Sequence, residues 1–495
     1  MNILNCFVTK LKHLCSTSYK KLACLGKSIF VIATCFCRFI FLRANPLWIQ
    51  IVYFISISIL GFGFLKVIKP LNQTKPKNLD LFFTSISATT VSSMSTVEMQ
   101  IFSNPQLIII TILMFIGGEV FTSMVGLHFS RSRLKTDLEL EMVTNEVHNN
   151  NISHESLSTK NENLRSMKYL GYVILGYILI IHIIGMFGVS LYFTIIPSTK
   201  QILKQKGLKM WTFSVFTIVS AFSNCGFVPT NENMIVFRQN SGLLLMLIPQ
   251  ILVGNTLYPA CLRFCIWVLG KFYKKKECRY LLMHSEEVSY KHLLEGKHTI
   301  FLVATVFGLI VVQVTLFCVM DWDSEGLKGL NNYEKLIGVL FQSVNSRHTG
   351  ESIVDISILS QAMLVLFVFM MYLPPYTSFL PIKDNRKNSK SGKSSLLNFN
   401  VLNIVVEVIR LFCIINPYMH VGVLGAYVNG AYGNVGLSTG YSCERQLHRE
   451  ANCENKWIGF VGKWSDEGKI IVILVMLFGR LKKFNMDGGK PWKLF

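Results

Sequence analysis

Long apolar runs separated by polar connections dominate the chain. They lie at residues 48–65, 107–127, 169–196, 243–269, 299–320, 358–382 and 470–478 with its flanks. A helix crosses a hydrocarbon core of about 30 Å with roughly 20 residues, and most of these runs are close to that length. The pattern predicts an all-α polytopic membrane protein.

Four shorter segments between these runs share a second pattern, in which a Ser/Thr-containing helix too short to span is followed by a turn at Gly or Ser. They read LFFTSISATTVSSMSTVEM, WTFSVFTIVSAFSNCGFVPTNENM, EKLIGVLFQSVNSRHTGES and AYGNVGLSTGYS, with the turns assigned to Ser95, Gly226, Gly350 and Gly436. Irregular backbone survives at membrane depth only where protein covers it or where it lines water. Any one glycine could mark an ordinary turn, but four equivalent segments predict four pore loops whose carbonyls face one conduction path.

Ser95 is the exception among the four predicted turns. A left-handed backbone costs a non-glycine residue about 1–2 kcal/mol, and serine also adds a hydroxymethyl group to the lumen. One quarter of a carbonyl cage would then be lost or narrowed. Because potassium depends on the full cage more than a smaller, partly hydrated sodium ion does, Ser95 favours sodium. The alternative is that serine is tolerated and selectivity is loose.

Composition and charge agree with a membrane protein and argue against nucleic-acid binding. Of 495 residues, 51% are hydrophobic and 16% charged, and the mean hydropathy is +0.42. The net charge of +21 comes from basic clusters in loops and not from one amphipathic face. Basic loops mark the cytoplasmic side, which places both termini inside. We expect sodium and potassium ions and lipid as partners, leave a homodimer open, and expect no cofactor and no nucleic acid.

Several strings together resemble a known family from about residue 45 onward: SSMSTVEM, NCGFVPTNENM, SRHTGESIVDISI with MMYLPPYTSF, and AYGNVGLSTGYSCERQL with GFVGKWSDEGK and FGRLKKF. They are similar to the plant HKT sodium and potassium transporters of the Trk/Ktr/HKT superfamily. The resemblance implies four M1-pore-M2 repeats around a pseudo-fourfold axis, a plasma-membrane location and passive movement of alkali cations. Serine at the position matched to Ser95 accompanies sodium preference in that family, whereas glycine accompanies potassium permeation. The chain resembles the Ser-Gly-Gly-Gly class.

Two further candidate sites lie near the C-terminus. Arg480 follows Asp466 by 14 residues, which is roughly 21 Å along a helix and therefore towards the inner side. The resemblance implies that a basic residue here faces the pore as an electrostatic barrier or gate, and the alternative is a side chain that snorkels to the headgroups. Cys443 and Cys453 lie in a predicted external loop, where an oxidising compartment allows a disulfide. The remaining cysteines are expected to be structural.

The domain organisation shows a defect in the fourth repeat. Spacings between the assigned turns are 131, 124 and only 86 residues. The last spacing is short by about the length of a helix with its loops. The resemblance to the family implies that the fourth repeat lacks its M1 span before residue 398 and carries an insert at 410–430, so we expect a displaced Gly436. The expected parts are a cytoplasmic leader (1–44), repeat A (45–135), a cytoplasmic linker (136–165), repeat B (166–270), a second cytoplasmic linker (271–297), repeat C (298–382), a basic cytoplasmic linker (383–397), partial repeat D (398–487) and a cytoplasmic tail (488–495).

Two other functions were weighed against transport. The damaged repeat favours, as an alternative, a transport-impaired isoform that modulates intact relatives. The string GLSTG at 436–440 matches a nucleophile elbow, but that motif needs a strand-turn-helix setting with His and Asp partners. Neither is evident, so we expect no enzyme activity.

Overall fold

A computed structural model describes residues 46–71, 75–148, 154–285, 287–288, 290–373, 375–376, 430–437, 440 and 456–485. The chain divides into two compact units, Met1–Tyr53 and Phe54–Phe495. The described part of the first unit is the start of helix α1, and all contacts given below lie within the second.

All regular elements of the described residues are helices, which confirms the all-α fold. The main ones are α1 (Pro46–Val67), α2 (Asn78–Thr89), α3 (Asn104–Gly117), α4 (Glu119–His148), α5 (His154–Ile195), α6 (Pro197–Gln205), α7 (Met210–Ser223), α8 (Ser241–Gly254), α9 (Tyr258–Tyr273), α10 (Lys276–Met283), α11 (Gly296–Asp321), α12 (Asn332–His348), α13 (Gln361–Tyr372) and α14 (Asp466–Asn485).

Repeats A, B and C have the same order of elements. Each begins with a long apolar helix (α1, α5 or α11), continues with a short helix (α2, α7 or α12) and ends with a second apolar segment. In the part of the chain that the structure describes, three helices are long and apolar enough to cross a membrane, and the bent pairs α3–α4 and α8–α9 would raise that number to five. Repeat D is represented by the short helix end Gly430–Tyr432 and by α14.

The short helices are buried although they are rich in Ser and Thr. In α2, the hydroxyl groups of Thr84 and Thr89 donate to backbone carbonyls four residues earlier, at 2.9 and 2.8 Å. The Ser85 hydroxyl reaches the Ser58 carbonyl of α1 at 2.7 Å. Hydroxyls that bond to the backbone remove the cost of burying a polar group, so α2 can hold these three side chains inside the protein.

The second helices of repeats A and B are bent, by 51° between α3 and α4 and by 82° between α8 and α9. Next to each bend, a glycine lies directly against the end of that repeat's short helix. A Cβ atom on Gly117 would overlap the carbonyl oxygen of Thr89, and one on Gly254 would overlap that of Phe222. Gly479 of α14 makes the same contact with Tyr432, although α14 continues through it unbroken. These three contacts attach the second helices of repeats A, B and D to the short helix of the same repeat.

Several expectations fall outside the described residues. They are the leader 1–44, the basic linker 383–397, the insert 410–430 apart from its last residue, the tail 488–495, and the pairing of Cys443 with Cys453. These stay predictions, as does the missing M1 span of repeat D.

Candidate ion-conducting site

Four residues with left-handed backbone, one from each loop, form the centre of the site. Their φ values are 54° for Ser93, 83° for Gly226, 82° for Gly350 and 72° for Gly436. Each stands a few residues beyond its short helix. In each loop a backbone amide donates to the carbonyl five residues earlier, and this bond turns the chain. The amide and carbonyl pairs are Ser92 and Ser87, Cys225 and Ser220, Gly350 and Asn345, and Val435 and Gly430, at 2.8 to 3.0 Å.

The four residues follow one another around a ring, because each glycine abuts the backbone of the next loop. A Cβ atom on Gly226 would overlap the carbonyl oxygen of Thr349. A Cβ on Gly350 would overlap that of Val435, and a Cβ on Gly436 would overlap that of Ser92. A Cβ on Gly436 would also meet the side chain of Ser93. Backbone thus packs against backbone around the ring, and there is no room for side chains at the three glycines. We call Ser93, Gly226, Gly350 and Gly436 the ring.

The ring residue of the first loop differs from the sequence expectation, which placed it at Ser95. Ser95 lies outside the ring, where its carbonyl and its hydroxyl both accept from the Gly459 amide, at 3.0 and 3.2 Å. The reason is that α2 ends at Thr89 and the left-handed turn begins at Val91, two residues before Ser93.

A signal in the sequence could have identified Ser93. The residue after the ring position is a buried apolar side chain in three loops: Met94, Phe227 and Leu437. Only Ser93 gives the first loop such a neighbour, since Ser95 is followed by Thr96.

Two asparagines that the sequence reasoning did not single out join neighbouring loops. Asn224 stands two residues before Gly226, and its Oδ1 accepts a hydrogen bond of 2.9 Å from the Thr349 hydroxyl. Asn434 stands two residues before Gly436, and its Nδ2 donates to the Ser92 hydroxyl at 2.7 Å. Both have left-handed backbone, which asparagine tolerates better than most residues. The second loop is therefore tied to the third, and the fourth to the first.

A buried carboxylate lies beside the ring in the third loop. Glu351 follows Gly350 directly, at the position where the other loops carry an apolar side chain, and it is fully buried. Neither of its carboxylate oxygens has a hydrogen-bond partner among the described residues. When ionised, a carboxylate in this position attracts cations and repels anions, and low local polarity strengthens the effect.

Arg480 is buried in α14, with 1% of its surface exposed. Its guanidinium donates to the carbonyl of Gly117, and the guanidinium carbon lies 5.8 Å from the centroid of the Phe54 phenyl group. Gly117 is the last residue of α3, and the free carbonyls at a helix C-terminus attract positive charge. The structure therefore places this cation at the α3–α4 bend, inside the protein.

Comparison with known proteins first defines the class. The family of TrkH cation transport proteins matches residues 153–386. The crystal structure of the potassium transporter TrkH from Vibrio parahaemolyticus superimposes with a TM-score of 0.52, covering 89% of this chain and 84% of that one, at 15% identity. That likeness shows a shared fold, and it confirms a polytopic membrane protein.

Relatives of higher identity then give the family. Cation transporter HKT1;3 of Oryza sativa subsp. japonica is 45% identical over 91% of this chain and 92% of its own length. Sodium transporter HKT1 of Arabidopsis thaliana is 41% identical over 87% of this chain and 92% of its own. The chain belongs to the plant HKT cation transporters of the Trk superfamily, as the motif resemblance predicted. It is an ion transporter and not an enzyme, so the nucleophile-elbow interpretation of GLSTG is wrong.

Proposed function

We propose that this chain conducts sodium ions in preference to potassium ions, passively and across the plasma membrane, through the ring of Ser93, Gly226, Gly350 and Gly436. The observation that carries the proposal is the serine in a ring that is otherwise glycine. Ser93 has the same left-handed backbone as the three glycines but brings a side chain to a place where they have none. The cytoplasmic N-terminus and the repeat boundaries given above belong to the same proposal.

The chemistry of a carbonyl cage supports a sodium preference. Backbone carbonyls replace the hydration shell of a permeating cation, and a left-handed backbone lets successive carbonyls face the axis. The Ser93 hydroxymethyl group packs towards the position of Gly436, and its Oγ lies 3.2 Å from where a Cβ of Gly226 would stand. It narrows the ring and adds a hydroxyl, which suits a small or partly hydrated ion better than a potassium ion that needs the whole cage.

Support also comes from what the relatives are called and from the family resemblance. The Arabidopsis relative is named a sodium transporter, whereas the rice relatives are named cation transporters. In the family, serine at the first-loop position accompanies sodium preference. We assign that position to Ser93 and no longer to Ser95.

The experiment compares Ser93→Gly with Ser95→Gly in cells that express the full chain. We expect Ser93→Gly to raise the permeability ratio of potassium to sodium, measured from the reversal potential in mixed solutions. Ser95→Gly should leave that ratio unchanged, because Ser95 lies outside the ring. A shift with Ser95→Gly alone would contradict the assignment, and equal currents of both ions in the unsubstituted chain would favour the loosely selective transporter.

We also propose that Arg480 supplies a positive barrier on the inner side of the ring. Its burial and its bond to the α3–α4 bend support a fixed charge inside the protein, not a side chain in the headgroups. A cation approaching from the cytoplasm would meet that charge before the ring.

The fourth loop bears on the alternative of a transport-impaired isoform. We expected a displaced Gly436, but it stands in the ring and is tied to the first loop through Asn434. The shortened spacing before Gly436 remains a reason to test whether this form transports at all.

A further inference from the structure

The linker between repeats B and C begins with a run of exposed side chains. Its later residues Tyr290 and His292 are buried, but all six positions from 271 to 276 are exposed. These positions read Lys-Phe-Tyr-Lys-Lys-Lys, and Phe272 and Tyr273 are 79% and 69% exposed. A run with two uncovered aromatic side chains among four lysines suits a partner that is both apolar and negatively charged.

Helix α5 adds further basic side chains to the same side of the protein. Lys275 connects the two sets, because its Nζ lies 4.9 Å from the centroid of the Tyr169 phenol on α5. Helix α5 also packs against α10, which begins at Lys276. We define the basic face as seven exposed residues from α5, the end of α9, the turn that follows it, and α10: Arg165, Lys168, Lys271, Lys274, Lys275, Lys276 and Arg279.

The basic face carries a large excess of positive charge. Residues 162–172 and 264–280 contain its seven basic side chains and two carboxylates, those of Glu162 and Glu277, so the net charge there is +5. Among the residues that the structure describes, no ion pair joins any of the seven to a carboxylate. A group of about four to eight Lys and Arg residues beside a membrane span attracts anionic lipid headgroups.

Two aromatic side chains place this face at the membrane boundary. The Lys168 Nζ lies 5.9 Å from the centroid of the Tyr172 phenol, four residues later on α5. The Lys271 Nζ lies 5.3 Å from the Trp267 indole, four residues earlier on α9. Because α5 begins at a linker and α9 ends at one, the lysine in each helix is one turn closer to the linkers than its aromatic partner. Tyr and Trp prefer the headgroup level, so these lysines reach the level of the phosphates.

An apolar flank continues from the basic face along the same two helices. On α5, Leu175 and Leu179 follow Tyr172 by three and seven residues, on one side of the helix, and both are exposed. On α9, Phe264 precedes Trp267 by three residues and is exposed too. A soluble polyanion would leave this flank uncovered, whereas a lipid has acyl chains to lie along it.

We propose that the basic face binds an anionic phospholipid of the cytoplasmic leaflet, with the headgroup phosphates on its lysines and the acyl chains along the apolar flank. This inference rests on the proposed cytoplasmic side of the linkers and not on ion conduction. A headgroup with several phosphates gains most, because each Lys or Arg adds to the attraction. The preferred lipid is therefore a phosphoinositide, and phosphatidylcholine, which has no net charge, binds weakly.

The test measures lipid binding to the purified full chain in neutral detergent micelles. The probes are dioctanoyl phosphatidylinositol bisphosphate and dioctanoyl phosphatidylcholine, and we expect the first to bind at least about tenfold more tightly. The triple variant Lys274→Gln, Lys275→Gln, Lys276→Gln should weaken that binding about a hundredfold, since each basic residue near anionic lipid contributes about fivefold. Raising the salt concentration should also weaken it, because these charges are exposed.

The triple variant Lys200→Gln, Lys204→Gln, Lys209→Gln is the matched control. It removes the same charge from three exposed lysines that lie on α6 or just beyond it, after the opposite end of α5. Its affinity should equal that of the unsubstituted chain. Equal affinity for the two lipids, or an equal loss in the two triple variants, would overturn the proposal. Soluble inositol trisphosphate that binds as tightly as the lipid would overturn it too, because the acyl chains would then contribute nothing.

A second measurement separates the lipid site from the proposed orientation, and neither measurement requires ion conduction. In inside-out membrane vesicles, a membrane-impermeant maleimide should label Lys276→Cys, with the unsubstituted chain as the blank. Labelling from the outer face alone would overturn the orientation, and with it a lipid of the cytoplasmic leaflet, even where the purified chain binds the probe. Labelling from the cytoplasmic face without discrimination between the two lipids would support the orientation and overturn the lipid site.

Discussion

Asn434 and Ser92 are joined by a hydrogen bond of 2.7 Å between an amide nitrogen of the fourth loop and a hydroxyl of the first. The same amide also donates to the carbonyl of Met476 in α14 at 3.1 Å. One side chain therefore fixes the last loop to the first loop and to the helix behind it.

Replacing this residue by alanine, Asn434→Ala, should loosen the ring where the first and fourth loops meet. Loss of a buried donor leaves acceptors unsatisfied at about 1–3 kcal/mol, so we expect weaker discrimination between sodium and potassium and a lower flux per surface copy. Reversal potentials and radiotracer uptake measure the two effects. Asn163→Ala, on a half-buried side chain that donates to the Glu287 carbonyl, is the control. Equal selectivity in the two variants would remove Asn434 from the mechanism.

Gly350→Ala should abolish selective transport. Gly350 has a φ of 82°, and a Cβ atom would overlap the carbonyl of Val435 in the next loop. A left-handed alanine costs about 1–2 kcal/mol before this overlap is counted. Sodium uptake at matched surface expression checks the loss. Gly308→Ala is the matched control, because a Cβ there meets nothing within 4 Å, and full activity of Gly350→Ala would contradict the ring geometry.

Neutralising Arg480 should raise inward current. Arg480→Gln keeps a donor for the Gly117 carbonyl but removes the charge, whereas Arg480→Lys keeps the charge with a different geometry. Current-voltage curves at matched surface expression should therefore change with Gln and stay closer to the original with Lys. Unaltered current and voltage dependence with Gln would mean that the charge does not face the ion path.

Restoring the fourth repeat should increase transport. A version with an M1 span before residue 398 and without the insert 410–430, except for Gly430, whose carbonyl accepts from Val435, would anchor Gly436 from both sides. A carbonyl cage around an ion needs all four loops. Sodium flux at matched surface expression compares the two forms. Equal flux would show that the ring contacts of Gly436 and Asn434 suffice in the chain as it stands.

The periodicity of apolar residues predicted the all-α membrane fold, which is confirmed. The assignment of Gly226, Gly350 and Gly436 to an ion filter stays a prediction, and their shared left-handed backbone is consistent with it. Ser93 was missed because the first loop offers three serines in four residues and hydropathy does not distinguish them. The helix bends were missed for a related reason. Gly117 and Gly254 matter through a close backbone contact, which leaves no trace in the apolar pattern.

Burial of the linker could not be read from the sequence either. Tyr290 and His292 have polar tips and apolar bodies, so the same side chains suit a wet loop or a hydrogen-bonded core. Burial of these two side chains depends on hydroxyl partners on Ser123, Tyr258 and Tyr376. These partners lie far away along the chain, so the local sequence does not reveal them.

The ion pair between Asp80 and Lys469, buried with 2.7 Å between Oδ1 and Nζ, links the first repeat to the last. Four repeats on one chain are joined end to end at three boundaries, and the fourth boundary is a seam that no peptide bond crosses. Lys469, Asn434 and Arg480 all bind partners in repeat A across this seam. A tetramer of identical subunits would have four equal boundaries, whereas this chain has one boundary that noncovalent contacts alone hold together, and the polar contacts there replace the covalent continuity of the other three.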